Sequence, residues 1–391
     1  MKEIKRIGVL TSGGDAPGMN AAVRAVTRLA LYKGIEVMGI YNGYQGLIED
    51  NIKPLHERDV SFIINRGGTM LYSARSNDFR TKEGRAKAVE NCRKHGIDGI
   101  VTIGGDGTFR GAVELTNDGV PCIGIPATID NDIASTEATI GFDTAMNTVV
   151  DLVDKLRDTS ESHSRCTVVE VMGREAGDIA LQTSIALGAV TAVIREIPTD
   201  FDHVIEKMVA ARKGGKRNFI IITCEGMGKD YGEELSAMIE ARSGIESRFA
   251  RLAHIQRGGA PTLRDRVLAT QMGCAAVVNL ISGQMKQVMC LRGNNIVAMD
   301  IFDALTVDKL MKGKLKPEEE DKIPPNKLYE MKRIVADKQA YKNYLNYLSD
   351  HITLSLVKNK RRRAEIRLLF CKKTIKAIDN TKRMWYISYM L

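Results

Sequence analysis

A chain of 391 residues with 44% apolar side chains and only 9 prolines is long enough for two packed domains, which excludes a disordered or fibrous class. The formal charge of +9 belongs to the tail: residues 351–391 carry 11 Lys and Arg and 2 Asp and Glu, and taking these from totals of 57 and 48 leaves 46 of each sign in residues 1–350. A neutral body argues against a nucleic-acid or membrane partner for that part of the chain.

In chain order, short apolar runs alternate with stretches of helical period. Runs at 7–10, 37–41, 99–103, 121–125, 167–172, 192–195, 219–223 and 288–291 read as buried strands. Stretches 19–32, 83–95, 139–158, 177–187, 204–213, 233–243 and 264–281 read as helices. Runs of four to six residues followed by helices predict mainly parallel sheets wrapped on both faces, hence an α/β fold. The helix at 139–158 is the expected crossing into a second α/β unit. Beyond Lys312 the pattern changes: 314–325 is charged, holds three prolines and reads as a linker, and 326–348 reads as a polar helix. A basic tail with the only Trp, Trp385, follows. Seven cysteines at 92, 122, 166, 224, 274, 290 and 371 form no CxxC pair, as expected of reduced thiols in a cytoplasmic protein. The strand pattern beginning by Ile7 leaves no room for a signal peptide, and no apolar stretch approaches a bilayer-spanning length.

Three places can do chemistry. The first strand ends in Thr11-Ser12-Gly13-Gly14-Asp15-Ala16-Pro17-Gly18, where glycines let backbone N–H groups approach a phosphate at a helix start. A tight turn with no ligand is the competing reading. Gly104-Gly105-Asp106-Gly107-Thr108 repeats the arrangement after the 99–103 strand, with Asp106 able to hold Mg²⁺ through oxygen and Thr108 able to donate a hydroxyl. About twenty residues on, Thr128-Ile129-Asp130-Asn131-Asp132 offers two carboxylates at i, i+2 on one loop, either a base for a substrate hydroxyl or caps of an Asx turn. A phosphoryl-transfer enzyme needs both a polyphosphate cradle and such a base. In the second half Arg165, Arg174, Glu225, Arg248, His254 and Arg257 form a set that suits a sugar phosphate, although any one of these arginines alone reads as a solvated charge.

Residues 11–20, 104–108, 128–132, Met172-Gly173-Arg174 and His254-Ile255-Gln256-Arg257-Gly258-Gly259 stand in the order found in the ATP-dependent 6-phosphofructokinases of bacterial type, and the chain resembles that family over about residues 3–312. The resemblance implies two Rossmann-like three-layer α/β/α domains: 1–141 with 257–312 for ATP, and 142–256 for fructose 6-phosphate and effectors, followed by an extension at 313–391. It implies transfer of the γ-phosphate of ATP to the 1-hydroxyl of fructose 6-phosphate, the committed step of glycolysis, with Mg²⁺ at Asp106. Asp130 would be the general base, with Thr128, Arg174 and Asp132 beside it. Gly14, Arg75, Ser76, Gly105, Asp106, Gly107 and Thr108 would meet the nucleotide. Thr128, Ile129, Asp130, Met172, Gly173, Arg174, Glu225, His254, Ile255, Gln256 and Arg257 would meet the sugar phosphate, with Arg165 and Arg248 supplied by a neighbouring subunit of a homotetramer. Pyrophosphate-using members carry Asp at the position of Gly107 and Lys at that of Ala127, so ATP is the expected donor.

The family's effector pocket maps to Arg24, Arg28, Arg157, Lys216 and Arg217. Three positions depart from it: Glu57 for an Arg, Val190 for a metal-binding Glu and Gly214 for a Lys, which predicts weak or altered ADP activation. Beyond about Lys316 the resemblance explains nothing, and three readings compete: an appendage without a role, a basic segment for anionic partners, or the product of an altered reading frame. A non-catalytic family fold, or a dinucleotide or lipid kinase sharing the Gly104–Thr108 turn, are the remaining alternatives; the first lacks support while Asp106, Asp130 and Arg174 are all present, and the second leaves the Arg/His set unused.

Overall fold

The computed structural model describes residues 4–352. Eleven strands among these residues form two sheets. The first has the order β11-β10-β5-β4-β1-β2-β3 and is built from β1 (Arg6–Ser12), β2 (Glu36–Ile40), β3 (Ile52–Leu55), β4 (Gly99–Gly104), β5 (Cys122–Pro126), β10 (Gln287–Arg292) and β11 (Asn295–Asp300). Its five central strands run parallel, and β3 and β11 close the two edges antiparallel. The second sheet, β7-β8-β6-β9, is parallel throughout and comprises β6 (Cys166–Val171), β7 (Thr191–Val193), β8 (Phe219–Cys224) and β9 (Ser247–Arg251).

The connecting helices are α1 (Met19–Tyr32), α2 (Gly43–Ile48), α3 (Lys82–Lys94), α4 (Asp106–Asn117), α5 (Phe142–His163), α6 (Asp178–Leu187), α7 (Phe201–Lys213), α8 (Tyr231–Ser243), α9 (Leu263–Ile281) and α10 (Ile301–Met311). Alternation along the strands decides how they cover the sheets. Ile7 and Val9 enter one apolar cluster with α1 and α9, whereas Leu10 enters another with α3, α4 and α10. In the second sheet Val169, Val171, Ile220 and Ile222 join the first of these clusters, while Val168, Phe219 and Ile221 face a third. One core therefore runs continuously beneath both sheets. Fully burying each Ile or Val there is worth about 1.5–3 kcal/mol, which is why runs such as Phe219-Ile-Ile-Ile-Thr-Cys224 form inner strands.

The segment after Lys312 departs from expectation. Residues 314–325, expected as a plain linker, contain the short helix α11 (Pro317–Glu320), tied down by Lys309–Glu319 and Lys332–Glu320 ion pairs of 2.7 and 2.6 Å. The expected polar helix at 326–348 is α12 (Pro325–Ile352), and it is not a loose appendage. It packs on α10, α6 and β7, burying Met331 and Leu345. The basic tail beyond it, including Cys371 and Trp385, lies outside the described residues. No helix among the described residues is long and apolar enough to cross a membrane.

Candidate active site

In the first sheet the strand order reverses between β1 and β4, with β2 on one side and β5 on the other. Open α/β sheets bind ligands at the carboxyl ends of strands flanking such a reversal. Both glycine turns sit there, since Ser12 and Gly104 are register partners. A Cβ on Gly104 would stand 2.3 Å from the Ser12 carbonyl oxygen, so only glycine lets the strand ends approach this closely. The Thr108 hydroxyl donates to the same carbonyl at 3.0 Å and locks the two turns together. Thr108 is thereby buried in the frame of the cradle. Nothing lies within 4 Å of a Cβ built on Gly107, which leaves open space beside the turn. Thr11 and Ser73 donate to the Tyr72 and Gly13 carbonyls at 2.8 and 2.6 Å, so the segment carrying exposed Arg75 and half-buried Ser76 lies against the first turn.

Asp106 opens α4, where the helix dipole favours negative charge. Its Oδ1 accepts the Gly107 N–H at 2.7 Å, its Oδ2 pairs with Arg110, and Lys312 stands 4.0 Å away. Lys312 is also 4.0 Å from Asp132, so one ammonium bridges Asp106 and the 128–132 loop.

That loop leaves β5 beside β4, and the Ala127 N–H donates to the Gly104 carbonyl at 3.0 Å. Asp130 is fully buried. Its Oδ2 accepts from the Thr128 hydroxyl at 3.2 Å and pairs with Arg174 Nε at 3.2 Å; Arg257 Nη2 lies at 3.9 Å. Its Oδ1 is buried without a partner. Burial raises the Asp130 pKa above the ordinary carboxylate value, with Asp132 and Glu225 adding to the rise and Arg257 and Arg174 opposing it. Asp132 is raised in the same way, burial first and Asp106 adding, against Lys312 and Arg174. A buried carboxylate with a raised pKa and a vacant oxygen is suited to accepting a proton.

The second sheet brings its own strand ends to this point. After β6, Gly173 at φ 134° and Arg174 at φ 53° turn the chain so that Arg174 reaches Asp130. A left-handed arginine is disfavoured by about 1–2 kcal/mol. Glu225, just after β8, holds it there by accepting the Arg174 N–H at 2.9 Å. Gln256 is buried and accepts the Met172 N–H at 3.2 Å, and Arg257 donates to the Asp15 carbonyl at 3.1 Å. Arg257 thus spans the first glycine turn and Asp130, whereas His254 and Ile255 are exposed beside it.

Two expected groups are not gathered here. Arg165 and Arg248 both pair with Glu246, at 3.0 and 2.5 Å, at the amino-terminal end of the second sheet, opposite the Arg174 turn. The effector candidates form two groups. Arg24 and Arg28 share α1, where burial and the like charge lower the Arg24 pKa. Arg157 binds the Leu187 carbonyl, and Lys216 lies close enough to feel its charge, with Arg217 bonded to Ser164 at 3.0 Å.

The model of the phosphofructokinase family matches residues 6–280. The chain belongs to the phosphofructokinase family. It is 53% identical over 312 residues to an ATP-dependent 6-phosphofructokinase of Bacillus pumilus, covering 79% of this chain and 97% of the relative. A Bacillus subtilis protein of the same name is 52% identical over 302 residues, covering 77% of this chain and 94% of its own. The solved phosphofructokinase of Saccharomyces cerevisiae superposes with a TM-score of 0.76 at 32% identity over 87% of this chain, which spans only 50% of the yeast chain.

Family motifs do not lead to everything that lines the site. A cavity of about 1090 Å³ between the sheets is walled by Asp106, Asp132 and Arg174, but also by Arg110, Lys312 and Lys338. Arg110 pairs with Asp106 as its i+4 neighbour on α4, and it was missed because that helix itself was not read from the sequence. Lys312 and Lys338 carry no sequence signal, because the chain returns them from its C-terminal segment.

Proposed function

We propose that this chain transfers the γ-phosphoryl group of ATP to the 1-hydroxyl of D-fructose 6-phosphate, giving fructose 1,6-bisphosphate and ADP. The observation that carries the reading is the buried Asp130 carboxylate, with one oxygen fixed by Thr128 and Arg174 and the other without a partner. A substrate alcohol placed at that free oxygen gives up its proton to Asp130. Its own oxygen then forms a bond to the γ-phosphorus, the bond from that phosphorus to the β–γ bridging oxygen breaks, and ADP leaves with the electron pair. Arg174 and the Thr128 hydroxyl face the transferring group as preorganised donors. Gly14, Gly105, Gly107 and the α4 amino terminus receive the phosphates, and Arg257, with Glu225 and His254, receives the sugar phosphate.

Among the described residues no cluster of three or more His, Cys, Asp or Glu side chains is placed to hold a metal ion. Mg²⁺ would be held with the triphosphate by Asp106, an oxygen ligand at the start of α4 beside the glycine turn. Once bound, it supplies neutralisation of charge across the β- and γ-phosphates. The open space at Gly107 and the uncharged, buried Ala127 favour a nucleotide over free pyrophosphate. The reading extends to a homotetramer in which Arg165 and Arg248 complete a neighbour's sugar site. It also includes an effector pocket at Arg24, Arg28, Arg157, Lys216 and Arg217, and the division at residues 141 and 257. The test is a coupled assay offering fructose 6-phosphate with Mg-ATP or with pyrophosphate. Turnover with ATP and none above background with pyrophosphate is expected; the reverse overturns the reading.

A further inference from the structure

The long C-terminal helix α12 lies beyond the 6–280 span matched by the family model, yet it delivers two ammonium groups to the back of the catalytic cleft. Lys338 Nζ donates to the carbonyls of Ile133, Thr136 and Asn131 at 2.9, 3.2 and 3.4 Å. These belong to the stretch that continues directly from Asp130, and Asn131 is held at φ 51°. One helical turn on, Lys342 is buried and its Nζ lies 2.7 Å from both Asp178 Oδ2 and Glu196 Oε1. Glu196 Oε1 also accepts the Gly177 N–H at 2.9 Å, three residues after Arg174.

We propose that α12 is a clasp across the two sheets, in which Lys338 and Lys342 are positioning residues for phosphoryl transfer: Lys338 fixes the Asp130 loop and Lys342 fixes the Arg174 turn. The proposal rests on the reading of Asp130 as the base. The chemistry of each contact suits the role. A lysine ammonium has three N–H donors on a point, which match three converging carbonyls, whereas a planar guanidinium does not. Lys342 instead faces two carboxylates, a pairing that arginine can reproduce. Residues four apart on a helix stand about 6 Å apart along its axis and on one face, so a single rigid element sets the spacing between the two loops. Small errors in that spacing weigh heavily, because a misplacement of about 1 Å can reduce a rate about a hundredfold. Neither lysine is the sole anchor of the helix. Ser349 bonds Ser184 at 2.7 Å, Asp350 accepts from Thr191 at 2.9 Å, and Met331 and Leu345 are buried. Single substitutions therefore leave α12 docked.

The test uses the full-length chain with Lys338→Met, Lys342→Met and Lys342→Arg, run beside wild type and Asp130→Ser, with both substrates varied and thermal melting recorded. Lys338→Met is expected to lower kcat about 10- to 100-fold while each KM moves less than about threefold. Lys342→Met should lower kcat about tenfold, and Lys342→Arg should recover most of it. Should Lys338→Met not fold, the Lys342 pair decides the question from the other side of the cleft. Folded Met variants with kcat within twofold of wild type overturn the clasp, as does a loss of rate that Lys342→Arg fails to recover or that follows only the unfolded fraction. Asp130→Ser separates the two claims: if it keeps turnover, the base assignment falls; if it loses turnover while the lysine variants do not, only the clasp falls.

Discussion

Asp308 offers a quantitative check on the packing beneath the loop that carries Asp130. It is buried in α10, its Oδ1 accepts the Ala134 N–H at 2.5 Å, and its Oδ2 has no partner. Burial pushes its pKa up to about 7 from an ordinary 3.8, against the pull of the Ala134 hydrogen bond, Lys312 and Lys338. An acid raised in this way keeps its proton in the folded state over a range where the unfolded chain has lost it. Its contribution to stability is thus full below the unfolded pKa and is lost as pH rises toward the folded one. Between pH 5 and pH 8 about two pH units of that range are crossed, or about 3 kcal/mol at 1.36 kcal/mol per unit. Asp308→Asn removes the charge and keeps an acceptor for Ala134. Its melting temperature relative to wild type should therefore rise by roughly 5 °C on going from pH 5 to pH 8. Melting both proteins side by side cancels every titration they share. A difference that does not change with pH, or a variant that loses ground at pH 8, would refute the reasoning.

Three further outcomes follow from the site. Gly107→Asp should fold normally, since nothing lies within 4 Å of its Cβ, but should raise KM for ATP about tenfold or more by setting a carboxylate beside the nucleotide path; steady-state kinetics with ATP varied would detect an unchanged KM. Arg257→Ala should raise KM for fructose 6-phosphate, because it removes a guanidinium fork worth about 1.5–3 kcal/mol, and an effect confined to ATP would reassign it to the first glycine turn it spans. ADP should activate weakly or not at all: Val190, at the position where a metal-binding Glu is expected, is an apolar side chain buried in the third cluster and offers no oxygen ligand. Full relief of phosphoenolpyruvate inhibition in an ADP titration would contradict this.

The sequence made the inner strands legible because they are buried on both faces and read as unbroken apolar runs. Of the edge strands only β7 was read, as the run 192–195; β3, β9 and β11 were not. The β3 segment Ile52-Lys-Pro-Leu55 contains a proline that only an edge tolerates, and in β9 exposed Arg248 and Arg251 flank half-buried Phe249 and Ala250, so no apolar run shows. Four helices also escaped: α4, which begins in the glycine turn itself, α2 with two glycines, α10, which follows β11 with no intervening loop, and the short α11 within the expected linker. The helix expected from residue 139 begins only at Phe142, because Gly141 before it is left-handed at φ 98° and so caps the helix rather than continuing it. Asp130, Arg174 and Glu225 were legible as a family pattern, but their mutual contacts depend on two sheets facing each other. The docking of α12 was not readable at all. Its buried apolar residues are sparse, and it is fixed largely by hydrogen bonds and ion pairs to residues far away in the chain.

The most direct measurement compares wild type with Asp130→Ser at saturating ATP and fructose 6-phosphate. A lost general base should lower kcat about 10²- to 10⁴-fold with little change in the sugar-phosphate KM. The wild-type rate should fall at acidic pH with an apparent pKa above the ordinary carboxylate range, as the burial of Asp130 requires, and that limb should be missing from the variant. Near-normal turnover by Asp130→Ser, or an acid limb that survives in it, would contradict the account.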